Sequence, residues 1–466
     1  MGSGESTDAV ESDRAVLRDR DANPERAFAL VRRRPASVDV RDGELMQWLG
    51  QRCRPGIPPE LVGVFERGLE ERSEVRRMCL QKLAATAYYE GRTEDARRIW
   101  LTAAEEGRAA SDRLWFMALN NLALMARGHG LHFEALVLSG MSLRGLPEDD
   151  LHAIAVFAFR ERVCGLLEHD DVAASERTLE RGLQRCRFLD GTKPIDGAAL
   201  SSLDVARGQL AVEGGRLREA LEVFDQVRRA GLETRAVDGA VQLTNACRVL
   251  EVRFELEPEN RPALFDRFEA LEGEYEARGD WKESFLAARE FLRWRLHAEG
   301  ARAGDAARAA ERFFEHLPPH CSFPYMRRAI AMLERHPFDD AIQGRLTAHA
   351  ADFLLERLDA SQREAEELPI QVAATAEDWN LLAGHHARLL AQPHFLRPAF
   401  ASRWRTGLPA FDRLVDNGYV VVCAWCGRTR TNEGNWLPAT EVFELVTPES
   451  ISHGICESCV GRAHSS

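Results

Sequence analysis

Four cysteines near the C-terminal end of the chain, Cys423, Cys426, Cys456 and Cys459, have the residue type and spacing to grip a metal ion. They form two Cys-x-x-Cys pairs with 29 residues between them, and each pair delivers two thiolates from a tight knuckle. Together they fill the four corners of a tetrahedral zinc ion and leave no position for substrate, so the chemistry is structural rather than catalytic. Thiolate ligation supplies on the order of 10–16 kcal/mol toward folding a segment too small for a core of its own. Two disulfides or an unmetallated redox switch would use the same residues. His453 stands close to the second pair. Four sulphurs already complete the tetrahedron, which gives this histidine a hydrogen bond that orients the loop; a Cys3His site with one spare thiol is the alternative.

The elements that must position these ligands begin at a turn, Asp416-Asn-Gly418, followed by the β-branched run Tyr419-Val-Val-Val-Cys423, which predicts a strand entering the first knuckle. The chain then reads Cys423-Ala-Trp-Cys-Gly-Arg-Thr-Arg430, Gly434-Asn-Trp-Leu-Pro438 and Ser452-His-Gly-Ile-Cys-Glu-Ser-Cys459. Over about 45 residues this resembles a small cysteine-paired module at the ends of bacterial signalling proteins, often beside receiver, PAS or histidine-kinase domains. The matching positions are Cys423, Trp425, Cys426, Arg430, Gly434, Trp436, Ser452, His453, Gly454, Ile455, Cys456 and Cys459, while Glu457 replaces a common proline. The resemblance implies bacterial signalling more than any reaction. No receiver, kinase or PAS pattern accompanies it elsewhere in the chain.

Upstream, residues 58–396 are rich in Ala, Leu, Glu and Arg, with apolar residues every three to four positions. Three stretches are similar to one another: Lys82–Ala104, Asn120–Leu136 and Val205–Phe224. They resemble tetratricopeptide repeats, antiparallel helix pairs stacked side by side. The small residue of the first helix matches Ala84, Ala123 and Gly208, the turn glycine Gly91, Gly130 and Gly215, and the second-helix alanine Ala96, Ala135 and Ala220. The bulky residue that follows matches Trp100 and Phe224, but Ser139 departs from the pattern. A weaker unit turns near Asp170, with Ser175 small and Leu179 bulky. The spacings between turns, 39, 40 and 45 residues, exceed the family period of about 34. Further helical hairpins are expected at 236–256 with 260–278, 280–298 with 303–317, and 323–335 with 337–358. A single irregular all-helical domain is the alternative. In the repeat family, ligands line the first helices, which makes Asn120, Asn121, Arg113 and Arg207 the candidates here.

Composition sets the outer limits. The chain has 466 residues, 45% hydrophobic and 29% charged, enough for more than one core. Acidic residues outnumber basic ones, 74 to 61, which argues against a broad phosphate-binding surface. The run Arg32-Arg33-Arg34 before Pro35 reads as a helix end, where cations meet exposed carbonyls. Lysine occurs only at Lys82, Lys193 and Lys282, a skew typical of GC-rich bacterial genomes. No run is apolar enough to span a bilayer, and the first residues carry neither a basic start nor an apolar stretch. Cys79, Cys164, Cys186 and Cys247 lie in helical runs where thiols serve as small core residues, a pattern suited to the reducing cytoplasm.

No phosphate loop, dinucleotide fingerprint, His-Glu-x-x-His or Gly-x-Ser-x-Gly is present. His385-His386 and His316-x3-His320-Cys321 read as surface or packing residues, and Glu364-Ala-Glu-Glu367 as a solvated helix face. The expected organisation is a disordered tail at 1–22, a helical lead-in at 23–57, a mainly α, TPR-like α-solenoid of antiparallel helix pairs at 58–396, a connection at 397–418 and a small α+β zinc-binding module at 419–466. The expected function is a non-enzymatic, cytoplasmic adaptor or regulator with a protein partner on the array and zinc as its only cofactor, without membrane or nucleic acid. A nucleic-acid regulator using Arg428, Arg430 and Arg462, or a zinc-thiolate redox sensor, are the competing expectations.

Overall fold

The computed structural model describes residues 15–53, 56–71, 74–108, 113–145, 153–188, 197–234, 239–273, 282–299, 303–317, 323–369 and 372–390, then 415–416, 419–423, 428–430, 436–437 and 451–454. It is mainly helical, and its chain divides into two compact units, residues 1–125 and 126–466.

The first unit opens earlier than its sequence suggests. Residues 15–18 are helical and Leu17 is buried, inside the segment expected as tail, because an apolar residue there finds a core beside it. Helices α1 (Pro24–Arg33), α2 (Gly43–Arg52) and α3 (Val62–Gly68) surround Val31, Met46, Leu49, Leu61, Val64 and Phe65. Arg32 and Arg33 occupy the last turn of α1, where the helix dipole favours them. Asp42 caps α2 by accepting from the Leu45 N–H at 2.9 Å. Next come α4 (Glu74–Tyr89) and α5 (Thr93–Gly107), packed as an antiparallel pair. Trp100 of α5 donates its indole N–H to the Gln81 side chain of α4 at 3.0 Å, which satisfies the one polar atom of a buried ring. Burial pushes the Cys53 thiol up to about 11 and the Cys79 thiol up to about 12, as expected of core cysteines.

Helix α6 (Arg113–Gly128) leads into the second unit, which continues with α7 (His132–Gly145), α8 (Ala153–Glu168), α9 (Val172–Phe188), α10 (Gly197–Glu213) and α11 (Leu217–Thr234). The turns at 91, 130, 170 and 215 share one geometry. Gly91, Gly130, Asp170 and Gly215 have φ of +76, +77, +57 and +72°. The next N–H reaches back to the carbonyl of Ala87, Ala126, Leu166 or Ala211 at 2.8–2.9 Å. This is the Schellman closure, which needs a left-handed residue at its centre. It makes the weak unit at Asp170 equivalent to the three glycine units, at the cost of placing a non-glycine in the αL region. The small residues fall where helices touch: Ala84, Ala96, Ala123, Ala135, Ala220 and Ser175 are all fully buried. A Cβ on Gly208 would stand 2.5 Å from the Phe224 ring, so the first-helix glycine is set by that aromatic.

Downstream, α12 (Gly239–Leu256), α13 (Arg261–Glu269), α14 (Lys282–Ala298), α15 (Ala303–His316), α16 (Phe323–Arg335) and α17 (Asp340–Glu366) enclose the largest core. It is built on Phe254, Phe268, Trp294, Phe313, Phe323 and Met326. These match the expected hairpins, except that α13 ends at Glu269, short of the expected 278, and α17 runs to Glu366, beyond the expected 358. A further helix, α18 (Ala376–Leu390), follows. Among the described residues, five short strands follow: β1 (Val415–Asp416), β2 (Tyr419–Cys423), β3 (Thr429–Arg430), β4 (Trp436–Leu437) and β5 (Ile451–Gly454). The expected strand is β2, with the expected bounds. β1 and β3 pair antiparallel with it, β4 continues from β3, and β5 runs parallel to β2 from Val420↔Ile451 to Cys423↔Gly454.

Gly208→Ala is expected to lower unfolding free energy by about 1–3 kcal/mol through overpacking on Phe224. Combined with Phe224→Leu in a double-mutant cycle, the two changes should cost less together than their sum. Denaturant titration of the four proteins checks this, and simple additivity would contradict the contact.

Candidate metal centre and the buried polar seam

Cys423 ends β2 and is buried. Its N–H donates to the Arg428 carbonyl at 2.6 Å, and Val422 lies opposite Thr429 on β3, so the loop carrying Cys426 is closed at its base by backbone. The parallel register places Gly454 beside Cys423. Cys456 therefore follows the end of β5 as Cys426 follows the end of β2. The C-terminal ends of β2 and β5 therefore lie on the same edge of neighbouring strands, about 4.8 Å apart. A set of four thiolates would suit zinc in charge, softness and number. Cys426, Cys456 and Cys459 lie outside the described residues, and among the described residues no three ligand side chains gather around one point. His453 is backbone-paired within β5, opposite Val422. Arg430 is exposed on β3, whereas Arg428 forms an ion pair with Glu366 at the end of α17. On the helical side, the Cys423 thiol is a close neighbour of His386 on α18.

The second feature is a seam of buried polar groups that joins α16–α18 to the turn edge of the repeat-like helices. Asp378 is fully buried in the first turn of α18. It accepts from the Thr375 N–H at 2.9 Å and hydroxyl at 2.8 Å, forming one half of a capping box. Its other oxygen takes Arg162 of α8 at 2.8 Å, and Arg144 of α7 approaches at 3.3 Å. Arg162 also donates to the Leu136 carbonyl at 2.6 Å. The pair fits because α7 has Gly140 there: an added Cβ would meet Arg162 Nη1 at 2.8 Å. Nearby Ser139, the departure from the bulky repeat pattern, is buried with its hydroxyl turned back to Leu136. Every residue from His132 to Ser142 is buried, since α17 and α18 cover the side of α7 that a free repeat would show to water.

Along the same edge, Arg357 of α17 pairs with Glu168 at 2.9 Å, Arg388 of α18 donates to the His169 carbonyl at 2.7 Å, and Arg327 of α16 pairs with Asp170 and Glu213. Glu161 of α8 meets Arg127 at 2.8 Å and Arg160 at 3.0 Å. Burial alone would raise its carboxyl, but the two guanidiniums outweigh that and hold it below the usual range. Glu364 behaves oppositely. Burial, reinforced by nearby Glu134, drives its carboxyl well above the usual range although it accepts from the Glu134 N–H. The acidic run at 364–367 is therefore not one solvated face: Glu364 is buried, and Glu366 and Glu367 are exposed.

The first-helix candidates are scattered by comparison. Arg113 is exposed, Asn120 buried, Asn121 half-buried, and Arg207 pairs with Glu219 at 3.5 Å. The structure instead gathers charge on the turn edge, where α16, α17 and α18 supply partners more than 110 residues away in sequence. Only the density of arginine and glutamate hinted at it. His385 and His386, though adjacent, are both buried, because α18 is gripped on two sides: His385 packs on His169 with ring centroids 4.6 Å apart, and His386 Nε2 lies 2.8 Å from the Ser361 hydroxyl of α17. His320 and Cys321 lie outside the described residues. No protein-family model matches the chain, and no curated protein is similar to it.

Asp378→Ala is expected to destabilise the second unit by about 3–5 kcal/mol, because it strands Arg162 in a dry site. Replacing the pair with Arg162→Met and Asp378→Leu should recover most of that loss. Chemical denaturation of both variants decides it; a double variant weaker than the single one would contradict the assignment.

Proposed function

We propose that this chain is a non-enzymatic adaptor or regulator of bacterial cytoplasmic signalling, in which a TPR-like array docks a protein partner and a zinc module offers a second docking surface. The observation that carries the docking reading is the seam: helix pairs of this array hold an additional helix, α18, by ion pairs and by the Phe133–Trp379 contact, centroids 5.0 Å apart. Helix-on-helix recognition through a buried aromatic and a paired arginine is the chemistry of protein interfaces. The resemblance of the cysteine module supplies the signalling context.

Zinc is supported by the common edge on which β2 and β5 end. Cys423, Cys426, Cys456 and Cys459 would hold it, with His453 orienting the second knuckle from β5. The ion would act as a fold anchor, with no coordination position open. The engagement of Arg428 by Glu366 takes up one of the three arginines on which the nucleic-acid alternative draws.

Purified protein should contain one zinc per chain by elemental analysis, and Cys456→Ser or Cys459→Ser should lose it while helical circular dichroism is retained. Metal-free protein whose terminal thiols alkylate freely under gentle conditions would refute the module. For the array, a partner captured on the full-length chain should be weakened roughly tenfold or more by Arg113→Glu with Arg207→Glu. Unchanged capture would move the docking surface away from the first helices.

A further inference from the structure

We propose that α18 is an acid-released latch: His385 stacks on His169 in a dry junction between α18 and the α8–α9 turn, and mild acid opens that junction. The two rings are 1% and 2% exposed, with centroids 4.6 Å apart. His169 Nδ1 lies 2.7 Å from the Gly165 carbonyl, which can only accept, so its proton sits on Nδ1. That leaves His169 Nε2, and across the junction His385 Nδ1, buried without a hydrogen-bond partner among the described residues. A proton added to either ring would be an unpaired buried charge beside a second ring.

The surroundings reinforce this. Around His169 stand His132 of α7, Glu168 of α8 and Arg357 of α17. Around His385 stand Arg357, Arg388 and His386, with the Phe323 ring of α16 closing one side at 5.9 Å. Asp171 of the turn faces Arg388 at 3.8 Å. Burial holds the His169 imidazole down to about 3, against the Gly165 carbonyl bond and Glu168 and with His132 and Arg357; burial, then His169, Arg357, His386 and Arg388, hold His385 well below its usual range. His386, which neighbours Cys423, is not one of the two switch residues.

The sign follows from proton linkage. An undocked α18 frees both rings to titrate near pH 6.5, so above that value docking carries no proton cost. Below it, the docked form binds fewer protons than the open one, and each histidine shifts the balance toward opening about tenfold per pH unit, hence about 100-fold for the two. Glu364 responds in reverse: its raised carboxyl binds protons more readily when buried, so acid strengthens the α17–α7 contact. Acid therefore loosens α18 while α17 stays in place. Neither metal occupancy nor the identity of a partner enters this inference.

Amide hydrogen exchange on the full-length protein, between about pH 7.5 and 5.5 and corrected for the chemical rate, tests it. Protection across Ala376–Leu390 should fall by at least about 100-fold per unit below pH 6.5, while α14, α15 and α17 keep theirs. His385→Gln should cut the slope by about tenfold per unit, and His169→Gln with His385→Gln by about 100-fold, leaving only what the buried His386 contributes. Constant α18 protection, loss shared equally by α14 and α15, or a double variant with the full slope would each overturn the latch. Should the double variant fail to fold, each single variant must still show a slope about tenfold shallower than that of the unaltered protein, and an unchanged slope overturns it.

Discussion

Asp378 has no exposure to water, and a carboxylate so placed must be neutralised where it stands. Arg162 does this, and much of the second unit follows from that ion pair. The guanidinium must reach from α8 past α7, which requires Gly140 and excludes the large residue that a repeat would place nearby. The carboxylate must also serve Thr375, which fixes where α18 begins. A buried pair of this kind returns little net stability against its desolvation. Its effect is on register, since a shift of α18 by one residue would leave both charges unpaired.

The repeat-like part was legible because its determinants are local. A left-handed turn residue, a small residue on each flanking helix and an aromatic four positions later occur within about 25 residues, and each answers to a single steric demand seen in Gly91, Ala96 and Trp100 or in Gly215, Ala220 and Phe224. Strand β2 was legible for the same reason. The seam was not. Arg162 and Asp378 are 216 residues apart, and Glu134 and Glu364 are 230 apart. Nothing in the spacing of Glu364-Ala-Glu-Glu367 distinguishes the buried glutamate from its exposed neighbours. His385-His386 misleads in the same way, because helix periodicity assigns adjacent residues to different faces, and only tertiary packing on two sides buries both.

In the cysteine segment the first strand was legible, but not how β2 and β5 meet. The parallel pairing of β2 and β5 is the missing piece, and it needs a long crossover between strands that share few residues. Strands of two to five residues make too small a sheet to hold such a crossover by hydrophobic burial alone. The tetrathiolate ligation proposed above would meet that deficit, since bonds at the open ends of β2 and β5 would tie the crossover where apolar area cannot.

The two ends of α18 are fastened by opposite means. Its first turn is held by charge, through Asp378 with Arg162 and Arg144, and its last turns by uncharged rings, through His385 on His169 and His386 on Ser361. Buried ion pairs are little screened, so ionic strength has small purchase on the first fastening. The second depends on imidazoles remaining neutral, in the last turns of a helix where the dipole would otherwise favour a cation. Arg388 already occupies that favourable position and spends its donors on the His169 carbonyl. A protonated His385 would therefore find the available acceptors taken and a cation beside it. The asymmetry makes the C-terminal half of α18, adjoining the cysteine strand, the end from which the helix peels first.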